Sequence, residues 1–253
     1  MKKFDTYQNL CTEVYELSKP EAPEDAYRFY RSYAAESQGL ILEPMCGTGR
    51  FLLALLEEGF AVHGFDASRP MLASLAAKAQ AKGITPRVWH GFVEELQGTE
   101  KYDLIFIPSG SFGLLTELST IRAALETFYE YLTNDGVLVF EVETRRAVPE
   151  ELGVWRGSSW QRADGKLILL SQLALLEGEI CTSIGKYELV DANAIVQTEV
   201  EVYKIRIYDN SLDMFNLLDE IGFRQVRVVK AFEREGAIDE TDDCFVYECR
   251  RGG

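Results

Sequence analysis

Leu40-Ile41-Leu42-Glu43-Pro44-Met45-Cys46-Gly47-Thr48-Gly49-Arg50-Phe51, continued by Leu52-Leu53-Ala54-Leu55-Leu56, is the stretch whose reading decides the fold. Its first residues form a short apolar strand. Two glycines then make a turn at which backbone can approach a ligand closely, and the run after Arg50 has the apolar spacing of a buried helix. Strand, glycine loop and helix in that order present backbone N–H groups at a helix N-terminus, where the positive end of the helix dipole favours a carboxylate or a phosphate. An anionic small molecule is the expected guest.

The residues around the loop separate two cofactor classes. A dinucleotide loop of the form G-x-G-x-x-G needs a third glycine to let helix and strand pack closely. Here Gly47 and Gly49 supply the first two, and Leu52 stands in the third place. An acidic residue, Glu43, precedes the turn at the end of the strand. In this combination the stretch resembles motif I of the class I S-adenosylmethionine-dependent methyltransferases. One departure is Met45, which stands where that family usually has glycine; a side chain there is expected to hold an ordinary backbone conformation, since positive φ strains any residue but glycine.

A second strand, Phe60 to Asp66, ends in a carboxylate 23 residues beyond Glu43. At this spacing in nucleotide-type α/β folds an acid accepts hydrogen bonds from both ribose hydroxyls. Ser68 is the expected cap of the next helix, with Pro70 in its first turn and Gly83 at its end. His63, inside the strand, is expected to be packed. A third strand, Pro86 to His90, leads into Gly91-Phe92-Val93-Glu94. The resembled family has an acid here for the adenine amino group, followed by a backbone N–H for the ring; this chain has Phe92 and Val93, which suit apolar contact with the ring. A fourth strand, Tyr102 to Ile107, breaks at Pro108-Ser109-Gly110-Ser111, a loop that should lie near the first one because ligands bind beyond the carboxyl ends of the strands.

A helix from Leu118 to Leu132 and a strand from Val137 to Glu143, joined by a left-handed turn at Asn134-Asp135-Gly136, complete five strands alternating with helices, which predicts a parallel sheet covered on both faces. From about 150 to 208 the pattern changes to β-rich runs punctuated at Asp164-Gly165, Glu177-Gly178-Glu179 and Asp191-Ala192-Asn193, as in antiparallel hairpins. A helix from Ser211 to Gly222 and strands at Phe223 to Val228 and Cys244 to Cys249 follow. The resemblance therefore implies a Rossmann-like α/β fold: a seven-stranded, mostly parallel sheet with its last strand antiparallel and helices on both faces. The expected organisation is a helical N-terminal cap at 1–38, a cofactor-binding core at 39–149, an antiparallel β insertion at 150–206 and the rest of the core at 207–253.

The resemblance further implies S-adenosyl-L-methionine as cofactor, held by Glu43, Met45, Gly47, Gly49, Asp66, Ala67, Met71, Phe92, Val93 and Ser109, and methyl transfer to nitrogen or oxygen of a small acceptor. An NAD(P)-binding oxidoreductase and a non-catalytic cofactor-binding regulator are the alternatives. In-line transfer needs no covalent intermediate, so proximity is expected to dominate and no catalytic residue is assigned; Tyr15, Tyr30, Glu141 and Glu143 are the candidates for a base at the mouth.

Composition narrows the partners. A formal charge of −15 disfavours nucleic acid, whose binding draws on Lys and Arg. Two histidines and five cysteines without a C-x-x-C pair support neither a metal site nor a disulfide framework. No apolar run is long enough to span a bilayer, and no signal-peptide pattern follows Met1, so a cytoplasmic protein is expected. The β insertion has a second reading as a homodimer interface, since exposed strand edges invite pairing.

Overall fold

The computed structural model describes residues 6–210, 212–239 and 241–252. The first residues of the expected cap, and Ser211 at the expected start of a helix, lie outside them. Helices α1 (Asn9–Ser18) and α2 (Glu24–Glu36) open the chain. The alternating core follows as β1 (Ile41–Pro44), α3 (Arg50–Glu57), β2 (Val62–Asp66), α4 (Arg69–Lys82), β3 (Arg87–His90), β4 (Tyr102–Ile107), α5 (Leu118–Tyr131) and β5 (Leu132–Glu143). Four strands, β6 (Arg156–Gln161), β7 (Leu167–Glu177), β8 (Ile180–Asp191) and β9 (Ala194–Arg206), come next. The chain closes with α6 (Phe215–Ile221), β10 (Phe223–Lys230) and β11 (Cys244–Arg251).

Seven strands form one sheet in the order β10-β11-β5-β4-β1-β2-β3. The pairs among β1 to β5 are parallel, and β11 runs antiparallel to both neighbours. The period-2 alternation of the strands sorts its side chains onto two faces. Ile41, Leu104, Phe106 and Val139 point to the layer holding α2, α3 and α4, while Leu42, Ile105, Ile107 and Phe140 point to the layer of α5 and α6. The central strands read as unbroken apolar runs because both faces are covered. The expected Rossmann-like class is the class observed.

The remaining strands form a separate antiparallel meander, β6-β7-β8-β9, with turns where the sequence places them. Its inner face packs Ile168, Leu170, Tyr187 and Leu189 against Leu10, Cys11 and Val14 of α1. The two N-terminal helices therefore serve different layers: α1 seals the meander, and α2 belongs to the main sheet through Phe29, Tyr30 and Tyr33. No helix among the described residues is long and apolar enough to cross a membrane.

Three local expectations need correction. Asn134-Asp135-Gly136 makes no left-handed turn; these residues belong to β5, and the mismatch with β4 is absorbed as a register irregularity between Tyr102 and Leu104. Helix α6 starts at Phe215, because residues 212–214 form a turn first. Met45 adopts φ +56°, the left-handed region its side chain was expected to avoid.

Candidate functional site

The loops following β1, β2, β3 and β4 meet at the carboxyl edge of the sheet, where β1 lies between β2 and β4 and the crossovers leave on opposite faces. Such a switch point leaves a crevice in any open α/β sheet. Here it is a cleft of about 410 Å³, roofed by α1 and β9. That volume lies within the range of small-molecule sites, roughly 300–1,000 Å³.

Gly47, at φ +54°, faces the open cleft: a Cβ added there meets nothing within 4 Å. Gly49 works differently, since its Cβ would stand 2.9 Å from Leu75, so its absence lets α3 start against α4. The place of the missing third glycine is also explained. Leu52 fits because its partner on β2 is Gly64, where a Cβ would lie 2.5 Å from Leu52 Cδ1. Close packing of helix on strand is kept, with the glycine moved to the strand.

Asp66 closes the loop from below. Its two carboxylate oxygens accept the Gly47 amide at 2.8 Å and the Ser68 amide at 2.7 Å. Burial pushes its pKa up from the ordinary aspartate value, and the Ser68 and Gly47 amides oppose that rise. An ionised carboxylate has about four acceptor positions, so two amides leave capacity for further donors. Ser68 caps α4 as expected, its Oγ accepting the Met71 amide at 3.2 Å, while its hydroxyl donates to the Tyr7 carbonyl at 2.7 Å and ties the chain before α1 over the cleft.

Glu43 is fully enclosed beneath the loop. Burial raises its pKa well above the usual carboxylate range, with Arg50 and the Leu52 amide acting in the opposite direction. A side chain of the protein thus takes part of the anion-favouring end of α3 that was expected to await a ligand. Glu43 Oε2 and Thr48 Oγ1 are buried and without a hydrogen-bond partner among the described residues, which leaves unsatisfied polar atoms next to the glycine loop. Such orphans are uncommon enough to mark a site.

Of the ten residues anticipated from sequence, Met45, Gly47, Asp66, Ala67, Met71, Phe92, Val93 and Ser109 line the cleft; Glu43 and Gly49 stand behind it. Two non-glycine residues in the left-handed region, Met45 at φ +56° and Ser109 at φ +60°, belong to this lining. Left-handed non-glycine backbone costs of order 1–3 kcal/mol each and concentrates at functional sites. Of the candidate bases, Tyr15 and Glu143 reach the cleft. Tyr30 and Glu141 do not: they are buried in the core, bonded to each other at 2.5 Å, and Glu141 is further held by the Ser109 and Gly110 amides. They support the loop after β4 from behind.

Arg50, Lys19, Phe65, Tyr203 and Ile205 also line the cleft and were missed. The Arg50 guanidinium donates to Ser109 Oγ at 3.2 Å and to the Glu21 carbonyl at 3.3 Å, and lies 4.8 Å over the Tyr15 ring. Its position directly after Gly49 was the available signal. Tyr203 and Ile205 had none, because only the tertiary fold brings β9 over the sheet.

The crevice at the switch point thus has an acid at the end of β2 that bonds the glycine loop. Residues 41–136 match a family described as a methyltransferase domain. A protein of Geobacillus sp. (strain WCH70) named as a methyltransferase is 35% identical over 144 residues, covering 55% of this chain and 58% of its own. The chain therefore spans less than two thirds of that relative. A glycine/sarcosine N-methyltransferase of Parasynechococcus marenigrum (strain WH8102) is 29% identical over 236 residues, which cover 91% of this chain and 77% of that one. Among solved structures, the sugar N-methyltransferase KedS8 from Streptoalloteichus sp ATCC 53650 shares the fold with a TM-score of 0.74 at 16% identity, over 100% of this chain and 97% of that one.

Proposed function

We propose that this protein transfers a methyl group from S-adenosylmethionine to a nitrogen of a small-molecule acceptor. The observation that carries the reading is the single cleft in which the glycine loop, Asp66 and the Phe92–Val93 turn face one another. Asp66 is assigned to the ribose hydroxyls, which donate to its remaining acceptor positions. Phe92 and Val93 are assigned to the adenine ring. Met45, Gly47, Ala67 and Met71 wall the nucleoside, while Ser109 and Arg50 at the mouth suit the carboxylate of the amino-acid end. Glu43, with one unsatisfied oxygen under the loop, and Gly49 act from behind. When bound, the cofactor supplies an electrophilic methyl group on a sulfonium.

The chain's own contribution is placement and exclusion of water. The roof of α1 and β9 covers the cleft, and well-oriented partners gain roughly 7–11 kcal/mol from proximity. No nucleophile is required. Nitrogen is preferred as acceptor because relatives spanning most of the chain are named N-methyltransferases. The charge of −15 supports a small acceptor over a nucleic acid. A homodimer through β9 is a further proposal, supported by exposed Val196, Val200 and Val202 on that edge strand, and light scattering tests it.

Calorimetric titration with S-adenosylhomocysteine tests the central reading. Saturable binding that is lost in Asp66→Ala is expected, together with consumption of S-adenosylmethionine when an amine library is supplied. Binding of NADH in its place would return the assignment to the oxidoreductases, and cofactor binding without turnover on any amine or phenol would leave a regulator.

A further inference from the structure

The cofactor assignment draws on the loops after β1 to β4. It leaves a second set of lining residues: Tyr15 of α1 and Lys19 just after it, Leu115 at the end of the loop after β4, Glu143 at the carboxyl end of β5, and Tyr203 and Ile205 of β9. This part of the cleft is mostly rings and aliphatic surface. Its one carboxylate is Glu143.

Glu143 is placed firmly but left unpaired. Its backbone is fixed on both sides, by the pairing of β5 with Cys244 of β11 and by its carbonyl, which accepts the Tyr208 amide at 2.9 Å. Its half-buried side chain makes no hydrogen bond and no ion pair among the described residues. The other two carboxylates on the cleft wall differ: Asp66 is bonded to two amides, and Glu94 is exposed. A desolvated carboxylate without a partner is costly unless a cation or donor completes it. The groups around it settle which. Lys19, just after α1, favours its charged form; burial itself and Asp243 before β11 disfavour that form, and Glu141, Cys181, Cys244 and Tyr203 complete its titratable surroundings. Neither Lys19 nor any other cation among the described residues is within ion-pair distance of it. Tyr203 adds a ring that attracts a cation but not an anion, while the Tyr15 ring already carries the Arg50 guanidinium at 4.8 Å and the Lys19 ammonium at 5.8 Å.

We propose that Glu143 is the recognition carboxylate for the acceptor, which arrives as the ammonium form of a primary or secondary amine carried on an apolar or flat skeleton. This inference rests on the methyltransferase reading above. In the proposed step one N–H bond of the ammonium breaks, its electron pair stays on nitrogen, and the proton forms an O–H bond with Glu143. The nitrogen is then neutral, with the free pair that an electrophilic methyl requires. The proton leaves through the mouth of the cleft, to which Glu143 is open. An alcohol gains much less from such a carboxylate, and a carboxylic acid is repelled by it.

The test measures binding with the enzyme loaded with S-adenosylhomocysteine, so that no turnover is needed. Benzylamine, benzyl alcohol and benzoate are compared by calorimetry, as are amine and alcohol pairs on cyclohexyl and sugar skeletons. Amines should bind about 10- to 100-fold more tightly than their alcohols, the value of a hydrogen bond to a charged group, and benzoate should be excluded. Glu143→Gln should abolish the preference while S-adenosylhomocysteine affinity is retained, and the carboxyl ¹³C resonance of Glu143 should titrate at lower pH once benzylamine is bound. Equal binding of amines and alcohols, an undiminished preference in Glu143→Gln, or no amine retained on any skeleton overturns the inference. If Glu143→Gln also loses S-adenosylhomocysteine, Lys19→Met decides: removing the competing cation should tighten amine binding, and a weaker amine overturns the idea. Failure of the wild-type protein to bind S-adenosylhomocysteine overturns the methyltransferase reading and this inference together, whereas cofactor binding without an amine preference overturns only the latter.

Discussion

The amide of Gly47 donates to the carboxylate of Asp66 across 2.8 Å, so the loop after β1 and the end of β2 are one hydrogen-bonded unit. The residue proposed for the ribose therefore also holds the loop proposed to carry the cofactor. Asp66→Ala should lose more than a ligand contact: two amides, those of Gly47 and Ser68, lose their acceptor, costing about 1–3 kcal/mol of stability apiece where water cannot reach them. Chemical denaturation and S-adenosylhomocysteine titration of the same variant check both effects. Unchanged stability with lost binding would mean that the loop stands without Asp66.

The raised pKa of Asp66 gives that pairing a pH signature. Because burial lifts the folded value above the unfolded one, the group's own contribution to stability is full below the unfolded pKa and declines as pH rises through the folded pKa. Ribose hydroxyls donate to the ionised form and pull the value back down. Cofactor affinity should consequently fall as pH drops through the raised value, above the ordinary aspartate pKa of about 3.9, and binding in that window should release protons. Calorimetry in two buffers of different ionisation heat reads the release directly; proton uptake would contradict the assignment.

Gly64 should be intolerant of a methyl group. A Cβ there would stand 2.5 Å from Leu52 Cδ1 and 3.1 Å from Cys46 Sγ, between β2 and the start of α3. Overpacking of this kind costs typically about 1–3 kcal/mol. Gly64→Ala is expected to lower the unfolding free energy by that amount, and Leu52→Ala in the same background should recover part of it. Independent, additive effects of the two changes would show that the contact is not what makes the glycine necessary.

Met45 offers a comparison in which backbone strain is isolated. Both Met45→Ala and Met45→Gly remove the side chain, but only glycine occupies φ +56° without steric cost. The glycine variant should be the more stable by about 1 kcal/mol, reflecting the left-handed penalty of a side chain. Equal stabilities would mean that the loop relaxes when the side chain shortens.

The parts of this molecule legible from sequence are those where local pattern and tertiary role coincide. The strand Tyr102–Ile107 was bounded to the residue because an apolar run between a charged segment and Pro108 has one reading, and Ser68 was recognisable as a cap because its bond to Met71 is local. What failed depended on partners distant in the chain. Asn134-Asp135-Gly136 has turn composition, yet it lies within β5, in the irregularity between the Leu132 and Val137 pairings with β4. Tyr30 and Glu141 carry the right chemistry for a base, but they meet at 2.5 Å in the core, 111 residues apart, behind the loop they support. Glycine at 64 doing the work expected at 52 is likewise visible only once β2 and α3 are packed.

The roof of the cleft rests on acids of the meander. Glu201 accepts the Tyr7 amide at 2.8 Å and the Gln8 amide at 2.6 Å, and Glu199 accepts the Leu10 amide at 2.7 Å, both from β9. Helix α1 has no acid in its own first turn and no side-chain cap of its own, so β9 provides from outside what a local Ser or Asp usually provides. Since α1 carries Tyr15 into the cleft, and Tyr7 is tied to Ser68 beside Asp66, releasing this cap should open the proposed cofactor cleft rather than merely fray a helix. Glu201→Ala leaves two partly buried amides without their acceptor and is expected to cost about 2 kcal/mol locally. Hydrogen exchange should accelerate across residues 7–16 while the amides of β1 and β4 keep their protection. S-adenosylhomocysteine affinity should fall by about tenfold or more, the equivalent of about 1.4 kcal/mol. Uniform loss of protection over the whole chain would mark the cap as a global fold determinant, and unchanged cofactor affinity with a loosened α1 would show that the cleft needs no roof to hold its ligand.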